Sequence, residues 1–215
     1  MSRLLVQAFG AWTNCLETDK ELAEAGVKLA EMAGMAKKAK LSHFNPVTHY
    51  YRPNIADCVI AREFYHTIES VERVLRASTL LLKDKGQLLM TDFMLTEDAA
   101  RQDATPWQEH LPYNANLWRS NKFEKTLANL NMDVRVNEDV SDRYCELIVQ
   151  AWRALNSAPR LAEFDADTCN LILKEVERWA ACVRAIEKGV IQVRRIHSIK
   201  KSAFDPNELR GSDWT

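Results

Sequence analysis

Apolar side chains recur every three or four positions between residues 68 and 82, and charged side chains occupy the positions between them. Ile68, Val71 and Leu75 begin this series, whose spacing predicts a helix with one buried face. The cluster Lys83-Asp84-Lys85-Gly86 follows and is typical of a turn. Its glycine is expected to take the left-handed conformation that ends many helices.

A short apolar run, residues 87–91, comes next and stops at Asp92. Its length fits one buried strand. A helix, a tight loop and an apolar strand in this order indicate half of an α/β unit with a parallel sheet. Ligands in open α/β sheets bind outside the carboxyl ends of the strands, so Asp92 and Phe93 are expected near a ligand.

Helical and strand patterns alternate along most of the remaining chain. Strands are predicted over residues 11–17, 39–46, 56–61, 87–91 and 132–141, and helices over 4–9, 18–34, 119–131, 142–156 and 165–189. The alternation at 190–202 predicts an edge strand. The order predicts an α/β, Rossmann-like fold with a mostly parallel sheet and flanking helices. Residues 1–140 are expected to form its core, 141–204 to add helices and the edge strand to the same domain, and 205–215 to form a tail.

Composition and charge are those of an ordinary globular protein. Hydrophobic residues make up 47% of the chain and charged residues 27%, and the net charge is -1. This balance gives no electrostatic reason to expect a nucleic acid or an anionic membrane as partner. No apolar run approaches the roughly 20 residues that span a bilayer, and the N-terminus lacks a signal-peptide pattern. We therefore expect a cytoplasmic protein.

The cysteines and the missing catalytic motifs narrow the class further. Five scattered cysteines without a CxxC pair predict free, buried thiols in a reducing compartment rather than disulfides or a zinc site: Cys15, Cys58, Cys145, Cys169 and Cys182. The sequence has no Ser-His-Asp order, no cluster of metal ligands and no GxxxxGK loop. A hydrolase, a metalloenzyme or a nucleoside-triphosphate enzyme therefore has no support.

Four segments follow one another in a characteristic order. They are a strand ending on Glu17, the run Phe44-Asn45-Pro46, "DCVIAREFYHTIES" and "LLLKDKGQLLMTDF". This order resembles the class I S-adenosylmethionine-dependent methyltransferases over roughly residues 4–140, most closely those acting on small amines such as phosphoethanolamine or sarcosine. The family often has Lys-Pro-Gly-Gly before its fifth strand, where this chain has Asp84-Lys85 in place of Pro-Gly.

The resemblance implies S-adenosylmethionine as cofactor, a small-molecule methyl acceptor and a set of cofactor-binding residues. Glu17 matches the acid that holds the cofactor ribose. Phe44 and Asn45 match the pair beside the adenine, where most relatives have Asp and where Asn would meet the adenine amino group through its carbonyl oxygen. Ala61 and Arg62 match the strand end beneath the methionine part of the cofactor.

Two histidines are the candidate general bases. His66 matches a histidine common in the loop after the fourth strand of the family, although a capping or core role is equally open, and His110 is the second candidate. Substrate contacts are expected from Tyr65, Asp92, Trp107, Tyr113 and Trp118. Aromatic faces attract a cationic amine, and plain packing beneath a long loop is the alternative.

One element of the family has no counterpart. Relatives carry a glycine-rich loop after their first strand, whereas Gly10 stands alone here, so we expect the first strand to be missing as well. Three explanations are open. The first is that the chain is a fragment or starts at a misplaced Met, and the second is that it is a shortened relative that has lost cofactor binding. The third is that another segment, or another copy of the chain, fills the gap. The second explanation predicts a catalytically inactive binding or scaffold protein that uses the helices after Ser141. Leu171, Val176 and Trp179 are expected on a core or homodimer face.

Overall fold

The computed structural model describes residues 1–157 and 164–202, so the predicted tail at 205–215 lies outside the described residues. Two compact units divide the chain, Met1–Tyr50 and Tyr51–Thr215.

The first unit contains two βα-type segments and a parallel strand pair. Its elements are α1 (Ser2–Phe9), β1 (Thr13–Glu17), α2 (Lys20–Met32) and β2 (Ala39–His43). β1 and β2 pair in parallel, with Glu17 opposite His43. Gly10 closes α1 in the left-handed conformation, with φ 65°. The Asp19 carboxylate caps α2 by accepting the Leu22 N–H at 2.9 Å.

The second unit is a four-stranded mixed sheet with flanking helices. Its elements are β3 (Ala56–Arg62), α3 (Val71–Leu81), β4 (Leu82–Leu95), α4 (Thr105–Gln108), α5 (Ser120–Asn129), β5 (Met132–Asp139), α6 (Ser141–Asn156), α7 (Ala166–Glu187) and β6 (Ile191–Lys200), with 3₁₀ turns at Tyr65–Thr67 and Arg101–Ala104. The strand order is β3-β4-β6-β5. β3 and β4 run parallel, and β6 is antiparallel to both of its neighbours. The predicted α/β fold class is confirmed.

The prediction of an edge strand near the C-terminus is wrong. β6 lies between β4 and β5, so its backbone groups are paired on both sides. Two of its basic residues, Arg194 and Arg195, find partners on β5. The Arg194 guanidinium donates to the Asn137 carbonyl at 2.6 Å, and Arg195 forms an ion pair with Glu138.

Both faces of β4 are buried. Leu88 and Met90 belong to one core cluster with residues of α3 and α5, whereas Phe93 and Leu95 belong to another with residues of α7. This period-two alternation between two apolar cores explains why the strand reads as a continuous apolar run. The parallel pairing of β3 with β4 ends where Arg62 lies opposite Thr91.

The turn before this run differs from the sequence prediction. Lys85, with φ 59°, adopts the left-handed conformation that was expected for Gly86. Gly86 is needed for a different reason, because a Cβ atom there would lie 2.8 Å from the Lys83 carbonyl oxygen. The turn residues are part of β4, whose pairing with β3 shifts register between Ala56 and Cys58.

All five cysteines are free, as predicted, but Cys182 is the buried one, while Cys58 is exposed and the other three are half-buried. Within residues 1–157 and 164–202, no helix has the length and hydropathy of a membrane span. The same described ranges hold no cluster of three or more metal-ligating side chains.

Candidate functional site

A buried aspartate–histidine pair lies where the parallel pairing of β3 with β4 ends, although β4 itself continues past Asp92 to Leu95, contrary to the predicted stop at Asp92. His66 is 2% exposed and Asp92 1% exposed. Asp92 Oδ1 lies 2.5 Å from His66 Nδ1, and the same carboxylate accepts the backbone N–H groups of Tyr65 at 2.6 Å and Phe93 at 2.8 Å. These three donors satisfy a carboxylate that would be costly to bury without them. Because an ionised carboxylate only accepts, His66 carries its hydrogen on Nδ1.

The second ring nitrogen of His66 extends the pair to a tyrosine. His66 Nε2 lies 2.9 Å from the Tyr113 hydroxyl, which donates to a neutral imidazole. Burial raises the pKa of Tyr113 to about 12, and the Arg178 charge opposes this shift. Tyr113 is therefore a protonated phenol at neutral pH. We call Asp92, His66 and Tyr113 the proton chain. When the phenol oxygen accepts a proton, the original phenol proton can move to His66 Nε2.

Aromatic rings surround this chain. The His66 ring lies edge-on to Phe93, with centroids 5.1 Å apart, and 6.2 Å from Trp107. Phe93 in turn contacts Tyr144 at 5.6 Å, and Tyr144 lies 6.2 Å from Trp179. Trp107 is buried, whereas Tyr144 and Trp179 are half-buried. The rings of Phe93 and Trp107, next to His66, are therefore buried, and accessible aromatic surface begins at Tyr144.

A second acid–tyrosine pair adjoins these rings, and the sequence predictions missed it. The Tyr144 hydroxyl on α6 donates to the Glu63 carboxylate, which also accepts from Arg62 Nε at 3.1 Å. Burial, together with the Glu63 charge, raises the pKa of Tyr144 above its usual range. Glu63 directly follows β3 and has a left-handed backbone, with φ 51°. The strand-end rule that selected Glu17 would also have found Glu63, but no sequence signal links it to Tyr144, 81 positions away.

The structure brings three of the five predicted substrate residues together and separates the other two. Asp92, Trp107 and Tyr113 lie around His66. Tyr65 is completely buried, and its ring packs against Phe123 at 6.0 Å, so it faces the core. Trp118 packs in that same core, and the Lys122 ammonium lies 3.8 Å above its ring.

His110, the second candidate base, is exposed just beyond α4. Its backbone N–H bonds to the Trp107 carbonyl at 3.1 Å. Its ring makes no hydrogen bond to the described part of the chain, and the structure does not bring it to the proton chain.

The first unit holds the predicted ribose acid. Glu17 ends β1 half-buried, and its Oε1 accepts the Asp19 N–H at 3.0 Å and the Thr18 hydroxyl at 3.4 Å. Its Oε2 accepts no hydrogen bond from the described residues. One carboxylate oxygen is therefore held by the turn before α2, and the other is free to accept a diol hydrogen bond.

The predicted adenine pair follows β2. Phe44 is 6% exposed and contacts the His49 ring edge-on at 5.5 Å. The Asn45 carbonyl oxygen accepts the N–H groups of Val47 at 2.8 Å and Thr48 at 3.3 Å, which is an Asx turn. That oxygen, expected to meet the adenine amino group, therefore already has two donors. The Asn45 amide nitrogen is the polar group left for a ligand.

The two predicted methionine-contacting residues end β3. Ala61 is 8% exposed, and Arg62 is exposed with its Nε bound to Glu63. The Glu63 charge raises the pKa of Arg62. A fixed positive charge beside a small residue suits an approaching carboxylate.

The burial of Tyr113 predicts an alkaline instability that can be measured. An unfolded tyrosine ionises near pH 10, so between about pH 10 and about pH 12 the unfolded chain has lost a proton that folded Tyr113 keeps. Stability therefore falls as the pH rises through this window. In Tyr113→Phe, the free energy of unfolding measured with urea should fall less steeply with pH in this window. The variant should also lack one high-pH component of the tyrosinate absorbance titration. An unchanged titration curve in Tyr113→Phe would contradict the burial of this phenol.

Solved structures share this fold. A protein described as a sarcosine dimethylglycine methyltransferase from Galdieria sulphuraria is 14% identical, with a TM-score of 0.78 over 93% of this chain and 74% of its own. Phosphoethanolamine N-methyltransferase 2 of Haemonchus contortus, solved with S-adenosyl-L-methionine, is also 14% identical, with a TM-score of 0.77 over 94% of this chain and 46% of its own. The [4+2]-cyclase SpnF, again 14% identical, has a TM-score of 0.71 over 94% of this chain and 71% of its own.

No family model matches the sequence, and no curated protein matches it significantly. At 14% identity these structures show a shared fold and not a shared activity. Because one fold hosts several chemistries, the activity of this chain has to be argued from its own residues.

Proposed function

We propose that the protein is an S-adenosylmethionine-dependent methyltransferase that acts on a small molecule, with an amine as the favoured acceptor. The observation that carries the proposal is the buried chain of Asp92, His66 and Tyr113 where the parallel pairing of β3 with β4 ends. This is the edge where α/β sheets bind ligands. The neighbours described above support the choice of cofactor, since one of them is solved with S-adenosyl-L-methionine.

The residues proposed for the cofactor offer suitable polar groups. S-adenosylmethionine supplies an electrophilic methyl group when it is bound. We assign the free Oε2 of Glu17 to the ribose hydroxyls, and Phe44 with the Asn45 amide to the adenine. Ala61 and Arg62 are assigned to the methionine end, where the guanidinium suits a carboxylate.

The proton chain would prepare the acceptor. An alkylammonium has no lone pair, so it must lose a proton before it can attack a methyl group. The Tyr113 oxygen takes that proton while the phenol proton moves to His66 Nε2. The Asp92 carboxylate, 2.5 Å from Nδ1, stabilises the imidazolium that forms. The phenol thus stays protonated throughout, in keeping with its raised pKa.

One of the surrounding groups suits a cation as the incoming molecule. Half-buried Tyr144 offers an aromatic ring, which can attract an ammonium group through a cation–π interaction. The neighbouring Trp179 ring already has the Arg178 guanidinium 5.2 Å from its centroid, and the Glu63 carboxylate is paired with Arg62.

Titration of the 215-residue protein with S-adenosylmethionine in a calorimeter tests cofactor binding. We expect saturable binding that Glu17→Ala weakens by about tenfold or more, which corresponds to the loss of a charged hydrogen-bond pair. Glu21→Ala is the matched control, because it removes an exposed carboxylate from the first turn of the neighbouring α2. The absence of binding at about 1 mM cofactor, with the chain folded by circular dichroism, would contradict the proposal.

A catalytically inactive methyltransferase-like binding protein is the second candidate. The observation that favours it is the absence of a glycine-rich loop from the sequence. Such a protein would fold normally and show no cofactor binding in the same titration.

Localisation and assembly are further proposals. The free thiols support a cytoplasmic setting. The exposed Leu171 and Leu173 on α7 support a homodimer as the assembly to test.

A further inference from the structure

The α6 helix crosses one edge of the four-stranded sheet. It begins at Ser141, just after β5, and its Tyr144 hydroxyl donates to Glu63, which directly follows β3. In the strand order β3-β4-β6-β5 these are the two outermost strands. With about 4.8 Å between neighbouring strands, the contact bridges roughly 14 Å of the sheet edge. Asp92 of the proton chain lies at this edge, because Asp92 and the last residue of β5 lie opposite the same residue of β6.

We infer that the hydrogen bond between Tyr144 and Glu63 is a latch that holds α6 closed over the proton chain, and that opening of α6 admits small molecules to this site. The name latch refers to these two side chains only. The inference concerns access to the site and does not depend on methyl transfer.

The closed α6 covers an aromatic ring that lies against His66. The Tyr144 ring lies edge-on to Phe93, with centroids 5.6 Å apart, and Phe93 contacts the His66 ring at 5.1 Å. Trp179 on α7 lies 6.2 Å from the Tyr144 ring. Phe93 is 5% exposed and His66 2% exposed. Displacement of Tyr144 would therefore expose the Phe93 ring and open a route towards His66.

Few other contacts attach α6 to the sheet. None of its residues is fully buried, and after Tyr144 no α6 residue packs against either apolar core cluster. Ser141 anchors the start of the helix, because its hydroxyl oxygen accepts the Val193 N–H at 2.9 Å. Within the part of the chain that the structure describes, α6 side chains after Ser141 form one hydrogen bond to another element, and that bond is the latch. Segments with so few buried contacts open locally at low cost.

The Glu63 side of the latch is fixed, whereas the Tyr144 side can leave. The Glu63 N–H donates to the Thr91 carbonyl at 2.7 Å and holds a left-handed backbone in place. The Glu63 carboxylate also accepts from Arg62 Nε at 3.1 Å, so it keeps a partner when Tyr144 departs. Opening therefore avoids the high cost of a buried charge without a partner.

Cys182 on α7 provides a built-in probe of this opening. Its thiol is 1% exposed, and burial raises its pKa to about 12, with further contributions from the Cys145 thiol on α6 and from the Glu63 charge. Cys182 also belongs to the core cluster against which Tyr144 packs. A buried thiol reacts with a reagent only when the structure around it opens.

The test compares the rate at which iodoacetamide labels Cys182 in the folded wild type and in Tyr144→Phe, with the labelled peptides identified by mass spectrometry. The substitution removes the hydroxyl of the latch and keeps a ring that can pack against Phe93 and Trp179. Labelling of Cys182 should be about tenfold faster in the variant, as expected for loss of a hydrogen bond to a charged group.

Three comparisons isolate the effect of the latch. Cys58 is exposed and should react equally fast in both proteins. Tyr50→Phe removes the hydroxyl of a 79% exposed tyrosine in the first unit and should leave the Cys182 rate within about twofold of wild type. Glu63→Gln keeps an oxygen that can accept from Tyr144 but loses the charge, so its Cys182 rate should lie between those of wild type and Tyr144→Phe.

Hydrogen–deuterium exchange gives an independent readout. In Tyr144→Phe the amides of α6 should exchange about tenfold faster, whereas those of β6, which is paired on both sides, should keep their wild-type rates. Three results would overturn the inference: an unchanged rate of Cys182 labelling in Tyr144→Phe, an equal increase in Tyr50→Phe, or an increase in exchange as large in β6 as in α6, which would indicate general destabilisation.

Discussion

The His66→Gln variant is expected to transfer methyl groups about 10²–10⁴-fold more slowly than wild type, because an amide cannot take up a proton. Glutamine can still donate to Asp92 and accept from Tyr113, so the buried site keeps its hydrogen bonds. The loss should appear mainly in kcat, since the acceptor does not need His66 in order to bind. The rate is measured with the acceptor identified by the product assay described below.

The partners of His66 provide the control for this result. Tyr113→Phe should slow transfer to a similar extent, and the double variant should be little slower than either single variant, since both residues act on one proton. His197→Gln replaces a histidine on β6 that bonds to Gln87 at 2.9 Å and should leave the rate unchanged. Independent, additive losses at His66 and Tyr113 would contradict a shared proton chain.

Replacement of Asp92 by alanine is expected to lower the free energy of unfolding by about 3–5 kcal/mol. The carboxylate is 1% exposed, and its removal leaves the Tyr65 N–H, the Phe93 N–H and His66 Nδ1 without an acceptor. Urea unfolding followed by circular dichroism measures this loss.

Asp92→Asn refines the test, because asparagine keeps one carbonyl oxygen. An asparagine Oδ1 can still accept from His66 and Phe93, whereas its amide would face the Tyr65 N–H, donor against donor. Its stability should therefore lie between those of wild type and Asp92→Ala. Asp57→Asn, at an exposed carboxylate that pairs with Lys83, is the control and should leave the urea midpoint unchanged. Equal midpoints for Asp92→Ala and Asp57→Asn would contradict the buried network.

Local periodicity predicted most of the elements, since helices and strands leave a strong pattern. The pattern of α3 and the apolar run of β4 identified both elements, and Asp92 was singled out as the end of that run, although β4 extends from Leu82 to Leu95. The edge-strand prediction at 190–202 failed because alternating basic residues look the same whether their partners are water or a neighbouring strand. The order of β4, β6 and β5 depends on pairing between distant segments, which periodicity does not reveal.

Part of the candidate site was predicted from the sequence, and the rest was not, because it depends on contacts between distant segments. His66 was selected from the family resemblance, Asp92 from the end of an apolar run, and Trp107 and Tyr113 from aromatic content, and the structure brings the four together. Tyr65 was misjudged because the residue beside His66 in a 3₁₀ turn points into the core. Glu63 and Tyr144 were missed as a pair because they lie on different elements, and their contact exists only in the folded chain.

The most direct test of the central claim is a product assay with S-adenosylmethionine carrying a deuterated methyl group. The protein is incubated with this cofactor and a panel of small primary, secondary and tertiary amines, and the products are analysed by mass spectrometry. The account predicts one or more amines that carry the labelled methyl group, in amounts that His66→Gln lowers sharply and His197→Gln does not. If no amine gains the label while the folded protein also fails to bind the cofactor, the chain is not a methyltransferase.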